Sequence, residues 1–205
     1  MKQLLRKKLR EYRLIILDMD GTLYYQFPLR LCMCIELAFH YVTHIRRIWE
    51  LFLLWRFRKT QENGFLAEAP PVVWYWMLER PLRYIALFRD RKLLCLIRQL
   101  RKQGAKIAIY SDYPVQKKIA ALSGLTVDYC FCAADAAIKC LKPDAQGLKN
   151  IIRLTGETVE NSLFIGDRYE KDGKCAVNIG MDYIILDTNP LLRNIKLYKK
   201  ELYSG

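Results

Sequence analysis

A run of four apolar residues, Leu14-Ile15-Ile16-Leu17, ends in Asp18-Met19-Asp20-Gly21-Thr22-Leu23-Tyr24, and this junction constrains the fold more than any other stretch. A short apolar run of this kind reads as a strand buried on both faces, hence a member of a parallel sheet. The break at Gly21 leaves two carboxylates at the carboxyl end of the strand, where open α/β sheets bind their ligands. Turns favour Asp and Gly on their own account. The pair therefore gains meaning only from what the rest of the chain sets beside it.

Four more apolar runs follow the same plan. Lys106-Ile107-Ala108-Ile109-Tyr110 ends in Ser111-Asp112, Leu163-Phe164-Ile165 in Gly166-Asp167, and Tyr183-Ile184-Ile185-Leu186 in Asp187, while Tyr129-Cys130-Phe131-Cys132 is a weaker strand. Helical segments fit between them, so the chain is expected to be α/β: a Rossmann-like, three-layer, mostly parallel sheet with right-handed crossovers. A polar residue after each strand puts Asp18, Ser111 and Asp167 on one edge. Leu82 to Gln103 has helical spacing and is closed by Gly104 as a C-cap.

One segment breaks the alternation. Phe27 to Lys59 is rich in large apolar and aromatic residues and reads as two helices, after which Asn63-Gly64 and Pro70-Pro71 mark loops. Glu36, Arg46, Arg47 and Glu50 interrupt the apolar run too often for a spanning helix of about 20 residues. The domain expectation is a core of residues 1–24 and 81–205 with a helical cap, 25–80, inserted after the first strand and lying over the site edge.

Charge and cysteine usage narrow the setting. The net charge is +13, and most of it lies early: six Lys or Arg against one Glu from Lys2 to Arg13, six against two acids from Phe27 to Thr60, and nine against one from Arg80 to Lys106. A positive face suits anionic substrates, acidic lipid or nucleic acid. The first apolar run is too short for a signal-peptide core and leads directly into Asp18, so a cytoplasmic protein is expected. Seven cysteines, an odd count with two Cys-x-Cys pairs and no Cys-x-x-Cys, indicate neither a disulfide framework nor a zinc site. His40 and His44, four apart on an expected helix, have no third ligand nearby and read as cap surface or packing residues.

Asp18-x-Asp20-Gly21-Thr22, Ser111 after a strand, Lys142-Pro143 before a helix, and Gly166-Asp167 followed by Asp172 occur in that order, each at a strand or helix end. The set resembles the haloacid dehalogenase (HAD) superfamily of hydrolases, in its capped, phosphatase-like subgroup with the insertion between the first and second motifs. The resemblance spans residues 12 to 187. It implies a Mg²⁺-dependent phosphatase acting on a small phosphate monoester, with Asp18 as nucleophile forming an aspartyl-phosphate, Asp20 as general acid and base, and Lys142 stabilising charge. It further implies Ser111, Thr22 and Lys142 as phosphate-binding residues, and Asp18, the Asp20 carbonyl, Asp167 and an auxiliary Asp172 as metal ligands. Relatives often carry an aspartate where this chain has Glu170, whose longer side chain is a candidate substitute.

The chemistry has its own logic. A carboxylate is repelled by a phosphate dianion, so its attack needs a divalent cation, and oxygen donors favour Mg²⁺. Asp20 fits acid catalysis if a neighbouring carboxylate or exclusion of water raises its pKa. A halide leaving group needs no proton, so an acid at position 20 argues against dehalogenation. Two alternatives share the site: a phosphomutase, and a phosphatase that touches an anionic membrane surface through its basic, Trp-rich cap (Trp49, Trp55, Trp74, Trp76) and acts on a phosphorylated lipid. No nucleic acid partner is expected.

Overall fold

The computed structural model describes residues 9–60, 70–187 and 195–198. Its frame is a six-stranded sheet in the order β3-β2-β1-β4-β5-β6, with β1 Leu14–Leu17, β2 Lys106–Ser111, β3 Tyr129–Cys132, β4 Ser162–Gly166, β5 Asp182–Leu186 and β6 Ile195–Tyr198. The first five strands run parallel; β6, from the tail beyond the expected strands, joins β5 antiparallel. β1 occupies the centre. Leu17 stands opposite Ile109 of β2 and Ile165 of β4, so β1 stops just short of its neighbours, which run on to Ser111 and Gly166.

The apolar runs lack hydrophobic alternation because both faces are covered. Successive side chains point to opposite faces of a strand. Ile15, Leu17, Ile107, Ile109, Leu163 and Ile165 pack with Leu93, Leu94, Ile97 and Leu100 of one helix, while Leu14, Ile16, Ala108, Tyr110 and Phe164 meet Leu148, Ile151, Cys175 and Ala176 on the other side. These are the three layers the alternation of strands and helices predicts. The seven cysteines are free thiols.

Between β1 and β2 the chain forms α1 Gln26–Thr43, a 3₁₀ turn Ile45–Arg47, α2 Glu50–Thr60, α3 Pro71–Trp74 continuing as a π turn Tyr75–Glu79, and α4 Leu82–Ile85. Buried Glu50 accepts hydrogen bonds from Tyr41 Oη (3.0 Å) and Arg47 Nε (2.7 Å), and Glu36 accepts from Arg80 Nε (2.9 Å). At its base the insertion is tied by Tyr25 N to Phe88 O (2.8 Å) and Asp90 N to Leu23 O (2.9 Å). None of the described helices is long and apolar enough to cross a membrane.

Two sequence expectations need correction. The helix expected over Leu82 to Gln103 is two helices, α4 and α5 Arg91–Lys102, because Asp90 leaves helical geometry and its carboxylate caps the backbone N–H groups of Lys92 and Leu93, both at 3.0 Å. Gly104, at φ 99°, follows the C-cap Gln103. Pro70-Pro71 opens a helix instead of marking a loop, since a proline at the first helical position sacrifices no hydrogen bond. Asn63-Gly64 and the basic residues before Leu9 lie outside the described residues. After β2 come α6 Gln116–Ala121, α7 Gln146–Thr155, a π turn Tyr169–Gly173 and α8 Lys174–Val177.

Candidate active site

The carboxyl ends of β2, β1 and β4 converge where the sequence leaves β1. Asp18 extends β1 by one ladder bond, its N–H donating to Ile165 O at 2.8 Å, and this carries its side chain to the mouth of the sheet. Asp167 follows β4 directly, and Asp172 returns to it from the π turn, its Oδ2 accepting from the N–H groups of Asp167 (3.2 Å) and Arg168 (3.1 Å). Gly21 lets the β1 loop come this close: at φ 93°, a Cβ there would stand 2.1 Å from Asp167 Oδ2. Gly166 does the same for Asp172, which a Cβ would meet at 2.4 Å.

Three buried carboxylates result, Asp18, Asp167 and Asp172, with one oxygen of each within 4.8 Å of the others; among the described residues no other such group occurs. Lys142 sits between them. Its ammonium donates to Asp18 Oδ1 and, at 2.7 Å, to Asp172 Oδ1, and lies against the Tyr110 and Phe164 rings. Burial opposes its charge, yet Asp18, Asp172 and Asp112 outweigh that and hold the ammonium well above the ordinary lysine range. The loop carrying Lys142, with a cis bond to Pro143, is pinned by Lys142 N–H to Asp112 Oδ1 at 3.0 Å. Lys171 takes the other Asp112 oxygen at 3.0 Å.

One cation among three carboxylates leaves charge uncompensated. Burial pushes the Asp18 carboxyl up, Lys142 pulls it down, and the charges of Asp172 and Asp167 push it up again, for a net rise. Burial, reinforced by Asp172, lifts Asp167 from its ordinary 3.8 to about 6. Asp167 Oδ1 is buried and has no hydrogen-bond partner among the described residues; Arg168 Nε is 3.9 Å away. An orphaned buried carboxylate oxygen beside two more carboxylates is a donor set for a hard divalent cation.

Asp20 lies beyond this cluster and has a different neighbourhood. Lys118 Nζ donates to both of its oxygens at 2.6 Å, and Tyr24 Oη donates to Oδ1. Burial alone would raise the Asp20 carboxyl, but Lys118, with help from Tyr24 and Lys142, outweighs it and holds the pKa below the ordinary value. This corrects the expectation of a raised pKa. The charge next to Asp20 is a cation where a carboxylate was expected.

Sequence reasoning passed over Lys118, Tyr24 and Asp112. Lys118 carried a signal: Val115, Ile119 and Leu122 mark the inward face of α6, and Lys118 is the one charge at that spacing. It is buried. Ser111 is buried at the end of β2, where its Oγ accepts from Tyr113 N–H at 3.2 Å, and Thr22 Oγ1 lies 3.3 Å from Asp18 Oδ2. Glu170 is not in the cluster; it points outward to Lys174, because the π turn directs Asp172 inward instead. His40 and His44 stack on each other at 4.7 Å and line no metal group among the described residues.

The fold recurs in solved structures. The chain is similar to the HAD-hydrolase YfnB of Bacillus subtilis bound to magnesium (17% identity, 85% of this chain and 88% of that one, TM-score 0.59). It is equally similar to a 2-haloacid dehalogenase of Pseudomonas syringae pv. Tomato (16%, 85% and 86%, 0.59). A third is a mutant CbbY of Rhodobacter sphaeroides in complex with xylulose-(1,5)bisphosphate (16%, 86% and 86%, 0.60). Relatives this distant show the fold alone, and they span more than one chemistry. No curated protein matches the chain significantly. The description of haloacid dehalogenase-like hydrolases, however, matches residues 12–180, from the approach to β1 to the turn before β5. With the four motifs gathered at one end of that sheet, the chain belongs to the haloacid dehalogenase-like hydrolases.

Proposed function

We propose that this hydrolase is a Mg²⁺-dependent phosphatase that cleaves a small phosphate monoester through an aspartyl-phosphate on Asp18. The orphaned Asp167 oxygen beside Asp18 and Asp172, with a single buried ammonium shared by the latter two, carries the reading. Asp18, the Asp20 carbonyl and Asp167 would hold the cation, with Asp172 as an outer carboxylate. A cation bound there supplies the charge that lets an anionic nucleophile approach a phosphate dianion. The magnesium bound to YfnB and the bisphosphate bound to CbbY support the choice of ion and of substrate class.

In this reading Asp20 first takes up a proton from solvent against the pull of Lys118; an Asp18 oxygen then attacks phosphorus in line, the ester P–O bond breaks, and Asp20 gives that proton to the leaving oxygen. Asp20 then takes a proton from the water that hydrolyses the acyl-phosphate, releasing inorganic phosphate and restoring both groups. Lys142 holds the phosphoryl charge from one side, and the Ser111 and Thr22 hydroxyls donate to phosphoryl oxygens. Residues 25–80 serve as the cap over a core of 1–24 and 81–205. The test is phosphate release across a panel of phosphorylated metabolites, with and without Mg²⁺. Isomerisation of a sugar phosphate without phosphate release would instead identify a mutase.

Two measurements probe the electrostatics. Asp167 has a raised pKa in the folded chain, so between its unfolded value of 3.8 and its folded value of about 6 the folded state binds more protons than the unfolded one. Stability must then fall as pH rises through that window, and the raised Asp18 carries the decline higher. The melting temperature in EDTA is expected to drop by about 5 °C between about pH 4 and about pH 7, and Mg²⁺ should restore more of it at the upper end. A flat profile in EDTA would remove the charge frustration on which the metal assignment rests. In the second, Lys118→Met takes away the cation that lowers the Asp20 pKa. The limb of the pH–rate profile due to Asp20 is expected to move up by about one unit or more, and an unmoved profile would deny Asp20 a proton-transfer role.

A further inference from the structure

The sequence places large apolar residues on both sides of α1, and the fold uses only one side. Leu29 and Tyr41 are buried and Met33 packs on the core, whereas Phe27, Leu31, Ile35, Phe39 and Val42, recurring at intervals of four and three residues, are exposed. At 100° per residue those five share one face. Phe39 is 71% exposed and Val42 77%. From Leu31 to Thr43 the exposed residues of α1 are Leu31, Cys34, Ile35, Ala38, Phe39, Val42 and Thr43, with no charge among them. The apolar surface runs on through Ile45, Ile48 and Trp49 to Phe52 and Trp55 of α2. A monomer rarely leaves so continuous an apolar surface in water.

Charge decides what covers it. Both acids of the segment are used internally: Glu50 is buried against Tyr41 and Arg47, and Glu36 is held by Arg80 and Arg83. The exposed charges of α1, the turn and the described part of α2 are Arg30, Arg46, Arg47 and Arg56. Two copies joined through this face would bring like charges together, whereas an acidic bilayer surface complements them. Aliphatic side chains flanked by Trp and Arg are also what a helix lying in the headgroup layer presents, and no described helix spans a bilayer.

We infer that the outer face of α1 and α2 docks the protein, in the plane of the interface, on an anionic lipid membrane. The inference goes beyond the phosphatase reading and does not depend on it. The full chain should co-sediment with vesicles of phosphatidylglycerol and phosphatidylcholine at low salt, about tenfold more strongly than with phosphatidylcholine alone, and should lose most of that binding at about 0.5 M salt. Ile35→Ser/Phe39→Ser/Val42→Ser should bind at least about tenfold more weakly with an unchanged melting temperature. Arg46→Ser, which leaves the apolar face intact, should weaken binding only to the anionic vesicles. No vesicle binding, equal binding to both vesicle types, or a dimer in sedimentation velocity that the triple variant dissociates while vesicles are ignored would each overturn the inference.

Discussion

Asp18→Asn is expected to lower phosphate-ester turnover by at least about four orders of magnitude, since it removes the attacking oxygen itself. Fold and melting temperature should survive. The Asp18 carboxyl is buried beside Asp167 and Asp172, and its ionisation is opposed in the folded state. A neutral amide of the same shape relieves that repulsion, while Lys142 keeps Asp172 as a partner. In EDTA near pH 7 the variant should melt no lower than the parent. Phosphate release is the measurement. Retained turnover would mean that the phosphoryl group is captured elsewhere, and lost turnover with a collapsed melting temperature would mean that Asp18 is structural.

The sheet was legible because burial on both faces writes itself into sequence as unbroken apolar runs, and each run stops where a polar side chain must emerge. Asp18, Ser111 and Asp167 are therefore placed on one edge by the sequence alone, and that is where they lie. Strand order carried no such signature. The antiparallel β6 was missed because its pairing rests on a partner strand, not on local pattern. The long helix was misread at Asp90 for a related reason. Apolar spacing continues across residues 86–90, yet α4 ends at Ile85, Phe88 and Arg89 pair with Tyr25 and Tyr24, and the Asp90 carboxylate then starts a new helix by bonding the Lys92 and Leu93 N–H groups.

Within the site, the legible part was the part that motifs name. Glu170 and Asp172 are two residues apart, and sequence alone could not say which turned inward; the π turn sends Asp172 to the Asp167 and Arg168 N–H groups and leaves Glu170 in solvent. Lys118 was harder. Long-range ion pairs such as Lys118–Asp20 join residues far apart in sequence, and the only local trace was a cation on the inward face of a short helix. That trace matters, because it reverses the direction of the Asp20 pKa.

Lys142→Met is expected to be the most damaging change that spares every carboxylate. Its ammonium is the only cation donating to Asp18 and Asp172 among the described residues, and it is almost wholly buried. Without it, Asp18 and Asp172 lose their buried counter-charge and, among the described residues, only the half-exposed Arg168, 3.9 Å from Asp167, remains near the three acids, a situation that costs about 3–5 kcal/mol when one partner of a buried pair is removed. Part of that is recovered if a carboxyl takes up a proton, so the loss in EDTA should be larger near pH 8 than near pH 5. Turnover should fall by about two to three orders of magnitude, the usual toll of deleting one donor aimed at developing charge. The two effects separate with metal. If the deficit is one of charge, saturating Mg²⁺ should return most of the lost melting temperature and little of the turnover, because a cation between Asp18 and Asp167 cannot also occupy the position of Lys142 against the phosphoryl group. A variant as stable and active as the parent in EDTA and in Mg²⁺ would show that the carboxylates are not charged together, and the case for a metal-dependent nucleophile at Asp18 would fall with it.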